Sequence, residues 1–182
     1  MIKYVSLLRG INISGKNKIS MTELKKYYLQ CGYENVFTCL NSGNVIFTSD
    51  IEDKDVIRDD IHSIIEKNFN LDISVFIISA KELEEIVSNT PIWWGTDNKL
   101  IYDNIIFLIP PIKYNEAYAI LGEPKKEYEQ ISEYMNCIFW SYDLENYRKT
   151  NWWSKTANTI ISDKITIRTA NTIRKILEIC NR

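Results

Sequence analysis

The sequence has few of the residues from which metal and nucleophilic sites are built. Its 182 residues include one histidine and four cysteines, and no two cysteines are spaced as C-x-x-C. A zinc site needs clustered Cys or His ligands, and Ser–His or Cys–His catalysis needs a histidine beside the nucleophile. The sequence therefore predicts no metal site and no cofactor, and it predicts His62 as a solvated residue of an acidic helix.

Long apolar runs are also absent. No stretch approaches the roughly 20 apolar residues that a membrane-spanning helix requires, and the apolar opening is too short for a signal peptide. The four cysteines are expected to be buried thiols of a reduced compartment: Cys31, Cys39, Cys137 and Cys180. We therefore expect a cytoplasmic protein that does not contact a membrane.

The charge lacks a strong excess of one sign. The net charge of −2 argues against a general nucleic-acid coat, which needs many Lys and Arg contacts to phosphate. The charge is uneven, however. Residues 1–27 carry six bases and one acid, whereas residues 50–89 carry eleven acids and four bases. A local basic surface near the start of the chain is therefore expected.

The first half has a pattern of strands and helices in the order βαββαβ. Residues 2–9 are apolar and rich in β-formers, and Ser20 with Glu23 forms a capping box that begins a helix. Two strands, residues 35–40 and 44–49, are joined by turn residues. A helix with Ile57, Ile61, Ile64 and Ile65 on one stripe follows, and then an apolar strand at 73–78. This order is that of a ferredoxin-like unit.

The second half predicts a similar order without a visible sequence repeat. A capping box at Ser79 and Glu82 begins a short helix, and the packed loop 89–104 precedes a strand at 105–109. A helix at 114–121, a hairpin at 128–142 and helices at 152–161 and 166–180 follow. We predict an α+β protein of two ferredoxin-like subdomains with antiparallel sheets packed by helices. The expected division is into residues 1–79 and 80–182, the second part holding the linking helix and the C-terminal helix.

Four blocks of the sequence resemble a bacterial family called domain of unknown function 1697. They are YVSLLRGINISGKNK at 4–18, LNSGNVIF at 40–47, YDNIIFL at 102–108 and TIRTANT at 166–172. The resemblance spans essentially the whole chain and implies two ferredoxin-like subdomains and no established activity. The chain departs from the family pattern at Ser14-Gly15, where two glycines are usual, at Asn41, where glutamine is usual, and at Thr169-Ala170, where Asn-Trp is common.

One candidate ligand site follows from the predicted topology. The loop after the first strand and the hairpin after the second emerge at the same edge of a βαββαβ sheet. Together they bring cationic and short polar side chains, and glycines that let backbone N–H groups approach an anion. The predicted ligand-binding residues are Arg9, Asn12, Lys16, Asn41, Ser42 and Asn44, with Arg168 and Asn171 of the last helix as additional candidates.

Three functions remain open at this point. The first is a binding or regulatory protein for a small anionic ligand, nucleotide-like or nucleic-acid-like, in the loop and hairpin. The second is an enzyme of unknown reaction using the same pocket, and the third is a protein-interaction module. The alternative for the loop itself is architectural, because Gly and Asn also serve left-handed turn positions. In the pairs Trp93-Trp94 and Trp152-Trp153, adjacent side chains diverge, so one ring of each pair is expected in the core.

Overall fold

The computed structural model describes all residues from Met1 to Arg182. They form two compact units, Met1–Glu85 with Arg174–Arg182 and Ile86–Ile173. The domain boundary after residue 79 stays a prediction. None of the helices is both long enough and apolar enough to cross a membrane.

The first unit is built on a four-stranded antiparallel sheet. Its elements are β1 (Ile2–Leu8), α1 (Met21–Gln30), β2 (Glu34–Cys39), β3 (Asn44–Ser49), α2 (Lys54–Phe69), β4 (Val75–Ser79) and the start of α3 (Ala80–Ser88). The strand order is β2-β3-β1-β4, so the first strand lies inside the sheet between two antiparallel neighbours. Consecutive side chains of β1 from Tyr4 to Leu8 are all buried, so both faces of the strand are covered, and this explains why β1 is apolar on both faces.

The helices α1 and α2 pack on one face of this sheet because each carries one apolar stripe. Ser20 caps α1 by accepting the Glu23 N–H at 3.3 Å, as predicted. α2 begins after Asp53, which caps the helix by accepting the Asp55 N–H at 2.9 Å. The core between helices and sheet includes Tyr4, Leu8, Leu24, Tyr28, Val45, Phe47, Ile57, Ile61 and Ile65.

The second unit repeats the plan with the elements β5 (Ile101–Leu108), α4 (Tyr114–Leu121), β6 (Glu129–Tyr134), β7 (Cys137–Asp143), α5 (Trp152–Asn158), β8 (Ile165–Thr169) and the start of α6 (Ala170–Cys180). Its strand order is β6-β7-β5-β8, antiparallel throughout. The predicted fold class is confirmed: two four-stranded antiparallel sheets carry helices in a ferredoxin-like arrangement.

Two predictions in this half are wrong. The prediction of a single helix over 166–180 missed β8, in which Ile165 and Thr166 are buried beside β5 before the chain turns helical at Ala170. The prediction also began β5 too late, at residue 105. Asp103 and Asn104 belong to the strand because partners across the sheet satisfy them: the Ser141 hydroxyl donates to Asp103, and Asn104 pairs with Trp140 in the ladder.

The cysteines do not all lie where the sequence predicts. Cys39, Cys137 and Cys180 are buried, whereas Cys31 is exposed at the end of α1. Burial raises the pKa of the Cys137 thiol to about 12. All four are free thiols.

Candidate functional site

The loop after β1 forms a small hairpin of its own. The Lys16 N–H donates to the Ile13 carbonyl at 2.9 Å, and the Asn12 N–H donates to the Asn17 carbonyl at 3.1 Å. Ser14 and Gly15 stand at the tip with φ of 49° and 79°. Positive φ at both central residues is typical of a type I′ turn, which suits the right-handed twist of the flanking chain. The loop therefore projects Lys16 from an ordered turn.

Asn12 fastens this loop to the β2–β3 hairpin. Its Nδ2 donates to the Asn41 carbonyl and to the Ile19 carbonyl, each at 2.9 Å, and its Oδ1 accepts the Ile19 N–H at 2.9 Å. The structure thus brings the two predicted segments together at one sheet edge, as expected from the topology. Both N–H donors of the Asn12 amide are already used inside the protein.

Asn44 plays a similar part within the hairpin. It is fully buried, and its Nδ2 donates to the Cys39 carbonyl at 2.8 Å and to the Ser42 hydroxyl at 2.9 Å. Asn41 and Ser42 lie exposed at the turn. Asn44 therefore orients Ser42.

Gly43 lets the hairpin lie directly against the end of β1. Its carbonyl accepts the Leu8 N–H at 2.8 Å. It has a φ of +75°, and a Cβ there would lie 2.7 Å from the Leu8 Cβ and 2.9 Å from the Ile11 Cδ1. Only glycine fits this position without displacing the core.

The cations of the site differ in exposure. Lys16 and Lys18 are exposed, and Arg9 is half-buried. The Arg9 N–H donates to the Ser74 carbonyl at 3.0 Å, which fixes its backbone at the start of the loop. The N-terminus of α1 follows directly after Lys18 and Ile19, so the loop carries three cations between the end of β1 and a helix N-terminus.

The two additional candidates do not both lie on the last helix, and that part of the prediction is wrong. Arg168 lies on β8 and is buried, where its Nη1 donates to the Thr166 hydroxyl and to the Ile167 carbonyl, both at 2.8 Å. Burial lowers the pKa of Arg168 to about 10. Asn171 is exposed in the first turn of α6.

The tryptophan pairs diverge as predicted. Trp94 is buried and its Nε1 donates to the Asn104 carbonyl at 2.8 Å, while Trp93 is half-buried. Trp152 is buried and donates to the Gly122 carbonyl at 2.7 Å, while Trp153 is 41% exposed.

The sequence analysis did not predict a buried carboxylate in the second unit. Glu129 is 2% exposed. It accepts N–H groups from the Asn151 backbone at 2.6 Å, the Lys125 backbone at 3.0 Å and the Trp140 indole at 3.0 Å. No local signal marks it, because it stands in the charged run KKEYEQ and its donors are distant in sequence.

Two further observations concern metal ligands and the single histidine. No three His, Cys, Asp or Glu side chains form a group that could hold a metal ion. His62, predicted as solvated, is partly exposed and pairs with Asp72 at 2.9 Å.

Comparison with known proteins places the chain in a family. Residues 1–139 match the family model described as a protein of unknown function (DUF1697). The chain belongs to this family. It is also similar to the solved structure of the conserved bacterial protein SP0830 from Streptococcus pneumoniae, at 27% identity and a TM-score of 0.85 over 98% of each chain. No curated protein matches the chain. The region of the family match contains both the β1–α1 loop and the β2–β3 hairpin.

Proposed function

We propose that the protein binds a small anionic ligand, nucleotide-like or nucleic-acid-like, at the edge formed by the loop 9–18 and the hairpin 41–44. The observation that carries the proposal is the Asn12 amide, which ties a loop bearing exposed cations to a hairpin bearing exposed polar groups. A flexible basic loop would lose conformational entropy when it bound a ligand, and this loss would weaken binding. The hydrogen bonds of Asn12 order this loop before a ligand binds.

The side chains divide into two roles. Asn12 and Asn44 hold the shape of the site, because the N–H donors of both amides are donated within the protein. Arg9 and Lys16 supply positive charge, and Asn41 and Ser42 orient the ligand from the hairpin. Lys18 adds charge beside them.

The backbone supports the same ligand chemistry. Gly10, Asn12, Ser14, Gly15 and Asn17 all have positive φ, between 46° and 79°. A left-handed residue next to a right-handed one turns neighbouring N–H groups toward one side of a loop, a geometry that suits phosphate and carboxylate oxygens. The Asn12 and Lys16 N–H groups are used inside the loop, so the proposal relies on the other backbone donors of residues 10–18. Charge-assisted hydrogen bonds of this kind bind an anion without a general base.

The test is a thermal-shift panel of orthophosphate, pyrophosphate, ATP and a short single-stranded oligonucleotide. A ligand at about 100 times its Kd stabilises a protein by about 2.7 kcal/mol. For a chain of this length the Tm should then rise by roughly 5–10 °C. Arg9→Ala and Lys16→Gln should each remove most of that rise.

Lys81→Gln is the matched control, because Lys81 is exposed and lies far from the loop. It follows Ser79, which pairs with Tyr4 at the end of the strands opposite to the loop and the hairpin. The substitution removes the same charge and should leave the ligand response intact. If Lys16→Gln and Lys81→Gln lost the ligand-induced rise in Tm to the same extent, only the net charge would matter, and this would refute the site. Turnover of ATP by the wild type would instead favour the enzyme reading.

A further inference from the structure

The outer edge of the second sheet has the features of a docking strand. β6 is the edge strand, and it pairs with β7 through six successive residue pairs without a bulge. The edge strand β2 of the first unit, in contrast, has a register shift between Glu34 and Phe37. Bulges, prolines and lysines commonly protect sheet edges from added strands, and none of them occurs in β6.

The backbone of β6 offers hydrogen bonds on its outer side. The Asp143 N–H donates to the Tyr128 carbonyl at 3.0 Å, which makes residues 128, 130, 132 and 134 the hydrogen-bonded partners of β7. The alternate residues Ile131 and Glu133 therefore direct their N–H and C=O groups away from the sheet. Two residues of an added strand could pair with them.

A cavity lies on each face of the sheet beside this edge. One, of about 590 Å³, is lined by the aromatic and apolar side chains Tyr114, Tyr118, Pro124 and Ile131 on the helix side. The other, of about 370 Å³, is lined by polar groups that include Asn98, Glu127, Ser141 and Asp143. Successive side chains of an extended peptide point to opposite faces, so one strand added to β6 would fill both cavities.

Trp93 and Lys126 mark the place where the two cavities meet. Both residues line both cavities, together with Glu129 and Gln130. Trp93 is half-buried and lines both cavities beside Glu129, at the beginning of β6. A ring in that position can take a cationic side chain over its face.

The charge around the edge selects the partner. Residues 114–146 contain seven acids and two bases, and of the acids only Glu129 is buried. We propose that β6 binds an extended basic peptide segment of a partner protein as an added antiparallel or parallel strand. Its apolar side chains enter the cavity lined by Tyr114 and Tyr118, and its alternate Lys or Arg side chains enter the cavity lined by Glu127 and Asp143.

The test uses a fluorescently labelled seven-residue peptide in which lysine alternates with valine. Its controls are a peptide of the same composition with lysines and valines in two blocks, and an alternating peptide with glutamate in place of lysine. Anisotropy should show saturable binding of the alternating basic peptide alone. Hydrogen exchange of wild-type protein should show new protection at the Ile131 and Glu133 amides.

The matched variants are Glu133→Pro and Glu133→Gln. Proline removes an outward N–H and is tolerated on an edge strand, so Glu133→Pro should keep its thermal transition and weaken binding by about tenfold or more. Glu133→Gln keeps the N–H and should change affinity by less than about threefold. These results would support the proposal.

Other results would overturn it. Equal binding of the block and alternating peptides, or equal affinity of Glu133→Pro and wild type, would show attraction by charge without strand addition. Protection of Ile131 and Glu133 that depends on protein concentration alone would assign the edge to a second copy of the chain. Absence of binding would leave β6 as a plain edge strand.

Discussion

The two units share one βαββαβ plan but differ in the polar groups that they bury. In the first core, Ser6 and Tyr28 form one neutral hydrogen bond of 2.8 Å, and burial raises the pKa of Tyr28. In the second core, the Glu129 carboxylate accepts N–H groups from three separate segments. The shared βαββαβ fold therefore does not require any particular buried polar group, and the buried polar groups of the two units differ.

The connections after the first strand of each unit differ in the same way. In the first unit, residues 9–20 form a basic hairpin-like loop between β1 and α1, whereas residues 109–113 make a short connection between β5 and α4. Since the short connection suffices for the fold, the extra length of the first connection is not needed to join the strand to the helix. The comparison thus distinguishes the connection that the fold requires from the additional residues that the first unit carries.

The largest expected effect is at the buried carboxylate. Glu129→Gln keeps the size of the side chain but turns an acceptor into an NH₂ group facing N–H donors. We expect a loss of about 4 kcal/mol in the free energy of unfolding. In the first unit, Tyr28→Phe should cost about 1 kcal/mol, because only a neutral hydrogen bond is lost. Urea denaturation measures both, and equal costs would remove the contrast between the cores.

The next effect is at the contact between the hairpin and β1. Gly43→Ala should cost about 3 kcal/mol, since the new Cβ meets the Leu8 side chain and the backbone has positive φ. Gly15→Ala is the control, because it also has positive φ but no atom within 4 Å of a new Cβ. It should cost about 1 kcal/mol. A similar loss in both variants would show that φ alone matters and that the close approach does not.

The smallest effect is at the start of the helices that follow β4 and β8. Glu82 accepts the Ser79 N–H at 2.9 Å and a bond from Lys54. Burial raises the pKa of Glu82, but the hydrogen bonds from Lys54 and Ser79 outweigh it, so the pKa lies below its usual 4.5. Glu82→Gln should cost about 1 kcal/mol at pH 7.

The pH dependence follows from the direction of that shift. A carboxylate with a lowered pKa stabilises the fold above its unfolded pKa and loses this contribution as the pH falls through the folded pKa. The difference between wild type and Glu82→Gln should therefore shrink below about pH 4. At α6, Thr169 accepts the Thr172 N–H at 3.2 Å and no acid takes part. Thr169→Ala should also cost about 1 kcal/mol, and this cost should be the same at pH 7 and below about pH 4.

Local sequence signals were sufficient for much of the fold. The helix cap at Ser20, the capping box at Ser79 and the turn at Asn41-Ser42-Gly43 act through neighbouring residues, and all three begin or join elements as predicted. β8 was missed because Ile167 and Arg168 run straight into a helical stripe, and only pairing with β5 makes them a strand.

The candidate site was predictable to the same degree. Topology alone brings the loop and the hairpin together, and the Asn12–Asn41 hydrogen bond realises that proximity. The sequence could not predict that Asn12 and Asn44 hold the shape of the site. Their amide N–H groups donate to carbonyls that only the folded chain brings near them. The burial of Glu129 likewise depends on donors that are distant in sequence.

The most direct test of the proposed anion site is an NMR titration of ¹⁵N-labelled protein with pyrophosphate. We predict saturable shifts confined to the amides of residues 9–18 and 41–44, and their loss in Lys16→Gln but not in Lys81→Gln. Shifts spread over basic residues throughout the chain, or no saturable shift at the loop and hairpin, would contradict the account and leave Asn12, Gly43 and Asn44 with an architectural role alone.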